Sequence, residues 1–108
     1  MTFSEYVELA ARTDREHKDR IDGIRNAAMG MVGEAAETLE HVKKVLDQGH
    51  ELNIDKLVEE AGDTLWYIAK MSRYCGVPLE YIAAMNIKKL RGRYPDGFSR
   101  ERSVGRDG

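Results

Sequence analysis

A lone cysteine, Cys75, excludes an internal disulfide in this chain of 108 residues and fits a reducing setting, so a cytoplasmic location is expected. Proline is almost missing: Pro78 and Pro95 are the only two, and the first 77 residues contain none. Because proline interrupts helices, that alanine- and glutamate-rich stretch is free to form long ones. No apolar run approaches the roughly 20 residues that cross a bilayer, which excludes a membrane-spanning role. The opening Met1-Thr2-Phe3-Ser4-Glu5 lacks the basic-then-apolar order of a signal peptide. Alternating strand patterns are missing, as is any internal repeat of 20 to 50 residues, so sheets and solenoids are not expected.

Positive charge is scarce over most of the chain. Residues 1–87 hold 10 Lys/Arg against 16 Asp/Glu, whereas residues 88–108 hold 7 against 3. An acidic body lacks the clustered cations that grip a phosphate backbone, so no nucleic acid polymer is expected as a partner. It suits divalent cations better. A mass of 12.3 kDa allows one hydrophobic core. The expected organisation is a single all-α domain over residues 1–98, an antiparallel bundle of about four helices. A polar, frayed tail follows over residues 99–108.

The helices can be placed from caps and periodicity. Thr2 and Glu5 form a capping box for a short helix from Phe3 to about Thr13. Residues 14–20 (DREHKDR) have no apolar member and read as a connection or a solvated helical turn rather than core. From Asp22 to Gln48, Ile24, Ala28, Met31, Ala35, Leu39, Val42 and Leu46 recur at steps of three or four, one stripe on a long helix that Gly49 ends. Asn53 caps a third helix with a stripe of Leu57, Ala61, Leu65, Ile68 and Ser72, ending near Cys75-Gly76. The short link makes these two helices an antiparallel hairpin. Pro78 suits the first turn of a fourth helix running to about Arg91, followed by a turn at Tyr94-Pro95-Asp96-Gly97-Phe98.

Two acidic pairs carry the chemistry: Glu34-Ala-Ala-Glu37 on the second helix and Glu60-Ala-Gly-Asp63 on the third. Residues three apart share a helix face, so each pair can grip one object. Counted back from the hairpin link, the pairs lie within roughly 5 Å of the same level at 1.5 Å rise per residue. Four converging carboxylates repel one another unless a cation neutralises them, and oxygen-only ligands select a hard ion, Mg²⁺ or Mn²⁺. An isolated pair of this kind is more often a merely solvated face; two pairs at matching levels favour a site. Gly30, Gly33 and Gly62 lie beside the carboxylates and cost helix stability, either to leave space for a ligand or to let helices pack closely.

These residues carry a resemblance. Gly30-Met-Val-Gly33-Glu34-Ala-Ala-Glu37, Glu59-Glu60-Ala-Gly62-Asp63-Thr-Leu-Trp66-Tyr67 and Asn86-Ile-Lys88-Lys89-Leu90, continuing to Arg93-Tyr94-Pro95-Asp96-Gly97-Phe98, resemble the MazG-type nucleoside triphosphate pyrophosphohydrolases. The likeness is to their short single-domain bacterial and phage members, and it runs from about Asn26 to Phe98. It implies an all-α enzyme that binds Mg²⁺ and splits a nucleoside triphosphate into monophosphate and pyrophosphate. By position, Glu34, Glu37, Glu60 and Asp63 match the metal ligands. Asn86, Lys89 and Arg93 match a motif near the phosphates, a role their chemistry suits, although Lys89 and Arg93 also suit a solvated helix C-terminus.

Spacing does not separate ligand from base, so Glu34 and Glu37 both remain candidates for positioning or deprotonating the attacking water. Tyr67 lies on the site side and, like Asn26, is a candidate contact for the nucleobase. Trp66 falls next to the apolar stripe and is expected in core or interface packing. His41 shares the face of Glu37, either as outer support of the site or as an exposed helical histidine. Cys75 reads as a small buried hydrophobe. Apolar residues beyond one stripe, Val32, Val45, Val58, Met71 and Met85, suggest a partner subunit, and the resemblance implies a homodimer or a dimer of dimers. A narrower dUTPase- or dCTPase-type activity and a non-catalytic helical dimer are the alternatives.

Overall fold

The computed structural model describes residues 1–105. Its elements are α1 (Phe3–Ala11), α2 (Arg20–Gln48), α3 (Ile54–Cys75), α4 (Leu79–Arg93) and α5 (Arg100–Val104), with no strand among the described residues. The all-α class and the α2–α3 hairpin are as expected. α1 packs on α3 and α4, and α4 packs on α3.

The caps explain most of the boundaries. Thr2 Oγ1 accepts from the Glu5 amide at 3.1 Å and opens α1. Asp19 Oδ1 accepts from the Asp22 amide at 2.8 Å, so α2 starts at Arg20, two residues before the sequence suggests. Asn53 Oδ1 accepts from the Lys56 amide at 3.0 Å, as expected, and opens α3. Gly49 at φ +70° and Gly76 at φ +73° end α2 and α3 in the left-handed conformation that glycine adopts without strain. Pro78 lies outside α4 rather than in its first turn, because its ψ of 151° is extended. α1 stops at Ala11, where the Thr13 hydroxyl folds back to donate to the Ala10 carbonyl at 2.7 Å.

Three expectations are corrected. Only part of the stripe placed on α2 is covered: Leu39 and Leu46 are 67% and 77% exposed and Ala28 and Ala35 are exposed as well, whereas Ile24, Met31 and Val42 are half-buried. Gly23 and Gly30 stand against rings of α3, Glu34 lies near Glu60 of α3, and Ala27 is fully buried. The rings explain these glycines, since a Cβ on Gly23 would meet the Tyr74 ring at 2.3 Å and one on Gly30 the Tyr67 ring at 2.1 Å. Small residues must face those rings.

Residues 14–20 are not merely solvated. The side chains of Asp14 and His17 are 4% and 0% exposed, held by Lys70 of α3. The third correction is in the tail, where Ser99 Oγ accepts from the Arg102 amide and caps α5, so that a short helix replaces a frayed segment. Arg106 of that tail falls outside the described residues. The Tyr94–Phe98 turn is present, with Gly97 at φ +91° donating to the Tyr94 carbonyl at 3.1 Å.

The single chain has a thin core. Ala27, Ala69 and Leu79 are the buried hydrophobic residues among those described, and the radius of gyration of 17.0 Å exceeds the about 13 Å of a compact domain this size. The hairpin carries the rest of the molecule.

Candidate functional site

The hairpin brings the acidic pairs to one level. Glu34, Glu37 and Glu60 each offer an oxygen within 4.8 Å of the others. Glu60 is buried at 3% exposure, Glu34 is half-buried and Glu37 is exposed, so the cluster opens outward on one side. Asp63, one turn along α3, stands beside this trio rather than within it. It shares with Glu34 the wall of a cavity of about 340 Å³.

The electrostatics follow from like charges held together. Burial, followed by the charges of Glu37 and Asp63, pushes the Glu34 carboxyl above its ordinary value. A hydrogen bond with Glu60 and its charge push Glu37 up too. For Glu60 burial acts upward, but hydrogen bonds from Lys56 and Glu37 outweigh it and leave the carboxyl below its ordinary value. The two carboxyls are thus shifted in opposite directions, Glu37 upward and Glu60 downward. Lys56 Nζ lies 3.2 Å from Glu60 Oε1.

The Oε2 atoms of Glu34 and Glu60 are buried without a hydrogen-bond partner. Orphaned buried carboxylate oxygens are costly, and two of them beside a third carboxylate fit a hard divalent cation. The donor set therefore suits Mg²⁺ or Mn²⁺.

Two cavities flank the trio. The one that Glu34 and Asp63 line is also lined by Thr13, Trp66 and Tyr67. Trp66 Nε1 donates to Thr13 Oγ1 at 2.8 Å, and the Trp66 and Tyr67 rings meet edge to face at 4.9 Å. Trp66, expected in core or interface packing, lines this cavity and also stands among Val7, Ala10, Ala11 and Ala69. On the other side a cavity of about 220 Å³ is lined by Glu37, Glu40, His41, Lys44, Lys56 and Glu60. His41 accepts from the Asn53 amide through Nε2 at 3.3 Å, so it closes the hairpin link as well as lining this cavity.

Other candidate residues lie apart. Asn86 and Lys89 are exposed on α4, Arg93 is half-buried at its end, and none of the three is ion-paired with the carboxylates among the described residues. Asn26 Oδ1 accepts from Lys70 Nζ at 2.7 Å, so that oxygen already serves the fold. Cys75, expected as a buried hydrophobe, is exposed. Its helix end is capped instead by Arg20, which donates to the Tyr74 and Cys75 carbonyls.

Sequence reasoning missed Lys44, Lys56 and Thr13. Lys56 had a signal, a lysine four residues before Glu60 on one helix face. Thr13 had none, since its role comes from a fold-back across 53 residues to Trp66.

Gly30 admits the Tyr67 ring, the close-packing alternative, whereas a Cβ on Gly33 or Gly62 would meet nothing within 4 Å. No helix is long and apolar enough to cross a membrane among the described residues. No solved structure matches the chain. Among curated proteins, Gene 37 protein of Mycobacterium phage L5 is 36% identical over 83 residues, covering 73% of each chain. Residues 23–98 match the family described as the MazG nucleotide pyrophosphohydrolase domain, and the match spans the hairpin, both acidic pairs and α4. The chain therefore belongs to the MazG nucleotide pyrophosphohydrolase family.

Proposed function

We propose that the protein is a Mg²⁺-dependent nucleoside triphosphate pyrophosphohydrolase, converting a (deoxy)nucleoside triphosphate and water to the monophosphate and pyrophosphate. The observation that carries this reading is the Glu34, Glu37 and Glu60 cluster, with its two orphaned buried oxygens. Glu34, Glu37, Glu60 and Asp63 would hold the cation, with Mn²⁺ as a substitute. When bound, the ion neutralises charge on the phosphate oxygens and orients water.

The chain's own residues supply the rest. Glu37 is the most exposed member of the trio and is the better placed to take the proton of the attacking water, with Glu34 the alternative. Attack at the α-phosphorus forms the bond to water's oxygen, breaks the bridge to the β-phosphorus and leaves pyrophosphate. The two cavities give the substrate a direction. Tyr67 and Trp66 offer faces to the nucleobase on one side, and Lys44 and Lys56 meet the phosphate tail on the other. Asn86, Lys89 and Arg93 assist the phosphates and Asn26 the base, as the family resemblance implies. The enzyme works as a homodimer or dimer of dimers on cytoplasmic nucleotide pools.

The test is pyrophosphate release with Mg²⁺ over ordinary, deoxy and oxidised triphosphates. Turnover that stops with a chelator is expected, and Glu37→Ala or Asp63→Ala should lower it by about 100-fold or more. A rate confined to dUTP or dCTP would narrow the reading to those substrates. Release of inorganic phosphate, or turnover unaffected by either substitution, would overturn it. Absence of any nucleotide binding would favour a non-catalytic helical dimer.

A further inference from the structure

Lys70 is the most buried lysine or arginine among the described residues, and the chemistry proposed above makes no use of it. Its side chain is 2% exposed. Its ammonium donates to Asp14 Oδ1 at 2.8 Å, His17 Nε2 at 2.6 Å and Asn26 Oδ1 at 2.7 Å. All three protons are thereby used, by acceptors on the α1–α2 link and on α2. Because His17 accepts at Nε2, its Nδ1 carries the proton that reaches Asp22 Oδ2 at 3.0 Å. Asp22 Oδ1 in turn accepts from Arg25 at 2.8 Å, and the other oxygen of Asp14 is held by Arg73.

Buried ion pairs of this kind rarely stabilise a fold more than apolar packing does, so their position is informative. This network ties residues 14–22 to α3, one turn beyond Trp66. The link also carries Thr13, whose hydroxyl accepts from Trp66 Nε1 while donating to the Ala10 carbonyl. The Lys70 ammonium itself lies 5.5 Å from the Trp66 ring centre. Thr13 and Trp66 together form the wall of the cavity that faces Glu34 and Asp63.

We propose that Lys70 is a positioning residue: by locking the α1–α2 link onto α3 it fixes the Thr13–Trp66 wall and so shapes the pocket for the nucleoside part of the substrate. Its role as a substrate wall rests on the nucleotide reading. The lock itself does not.

The experiment compares the wild-type protein with Lys70→Met, Thr13→Val and the double variant. Methionine keeps an unbranched side chain one heavy atom shorter and removes the charge. Without nucleotide, Lys70→Met should raise amide exchange over residues 12–19 by about tenfold or more and shift the emission of Trp66, the one tryptophan. Exchange around Glu34 and Glu60 should stay as in the wild type. In turnover, each single variant should raise KM about tenfold with kcat within about twofold, because the wall orients substrate while the carboxylates are untouched. Lys70→Met should add little further in the Thr13→Val background, the coupling expected if one acts through the other.

Unchanged exchange and emission in Lys70→Met would overturn the lock. Additive effects on KM, or a loss confined to kcat, would overturn its action through Thr13. Should the wild-type protein hydrolyse no triphosphate, the nucleotide reading fails, and exchange with Trp66 emission still decides the lock.

Discussion

At the scale of single residues, Glu34 couples stability to function. Its carboxyl is pushed up by burial and by Glu37 and Asp63, so the folded chain favours the protonated form. The stability this gives is present below the ordinary carboxylate value and is lost as pH rises through the raised folded value. Without metal, Glu34→Gln should therefore melt higher than the wild-type protein at neutral pH, with the gain shrinking toward pH 4 and below, and Mg²⁺ should raise the melting temperature of the wild type alone. A variant no more stable than the wild type at neutral pH would show that the repulsion is absent. The meeting of Glu34, Glu37 and Glu60 was legible in the sequence because three-residue spacing on a helix is itself geometry and the short hairpin link set their level, whereas Asp63 stands beside them. Lys70 was not legible. Its partners lie 44, 53 and 56 residues away in sequence, and a lysine inside a helical stretch gives no sign that it is buried.

At the scale of elements, the hairpin is a match between glycines and rings. Gly23 and Gly30 are seven apart on α2, as are Tyr67 and Tyr74 on α3, and the antiparallel arrangement sets Gly23 under Tyr74 and Gly30 under Tyr67. Gly30→Ala should cost about 1 to 3 kcal/mol in denaturant unfolding, since the ring must move off the helix backbone. Gly33→Ala should cost nothing and can gain up to about 1 kcal/mol from helix propensity, because open space surrounds that position in the single chain. Equal effects at the two glycines would contradict this packing. The number and order of the long helices were legible from caps and from scarce proline. That Gly23 and Gly30 of α2 lie against α3 was not, because a glycine facing a ring carries no apolar signal. The matching seven-residue spacing of glycine and tyrosine held the answer.

At the scale of the molecule, the stripe that α3 does not cover is the remaining question. Val32, Leu39 and Leu46 repeat at seven-residue intervals along α2 and are 71%, 67% and 77% exposed, and Val58 on α3 is 66% exposed. Fully burying a side chain of this kind stabilises by about 1.5 to 3 kcal/mol, and a two-fold interface buries each one twice. Set against a core of Ala27, Ala69 and Leu79, such a term is comparable with the whole stability expected of a small domain. The proposed homo-oligomer would cover these residues: Val32 and Val58 are among those expected to meet a partner subunit, and the exposed Leu39 and Leu46 of the α2 stripe join them. Sedimentation equilibrium should return at least twice 12.3 kDa, and thermal unfolding should shift upward with protein concentration. Leu39→Glu should yield a 12.3 kDa species of lower melting temperature whose unfolding no longer depends on concentration. A wild-type protein that sediments as a single chain at every concentration, and melts at one temperature throughout, would mean that this face serves something other than a second copy.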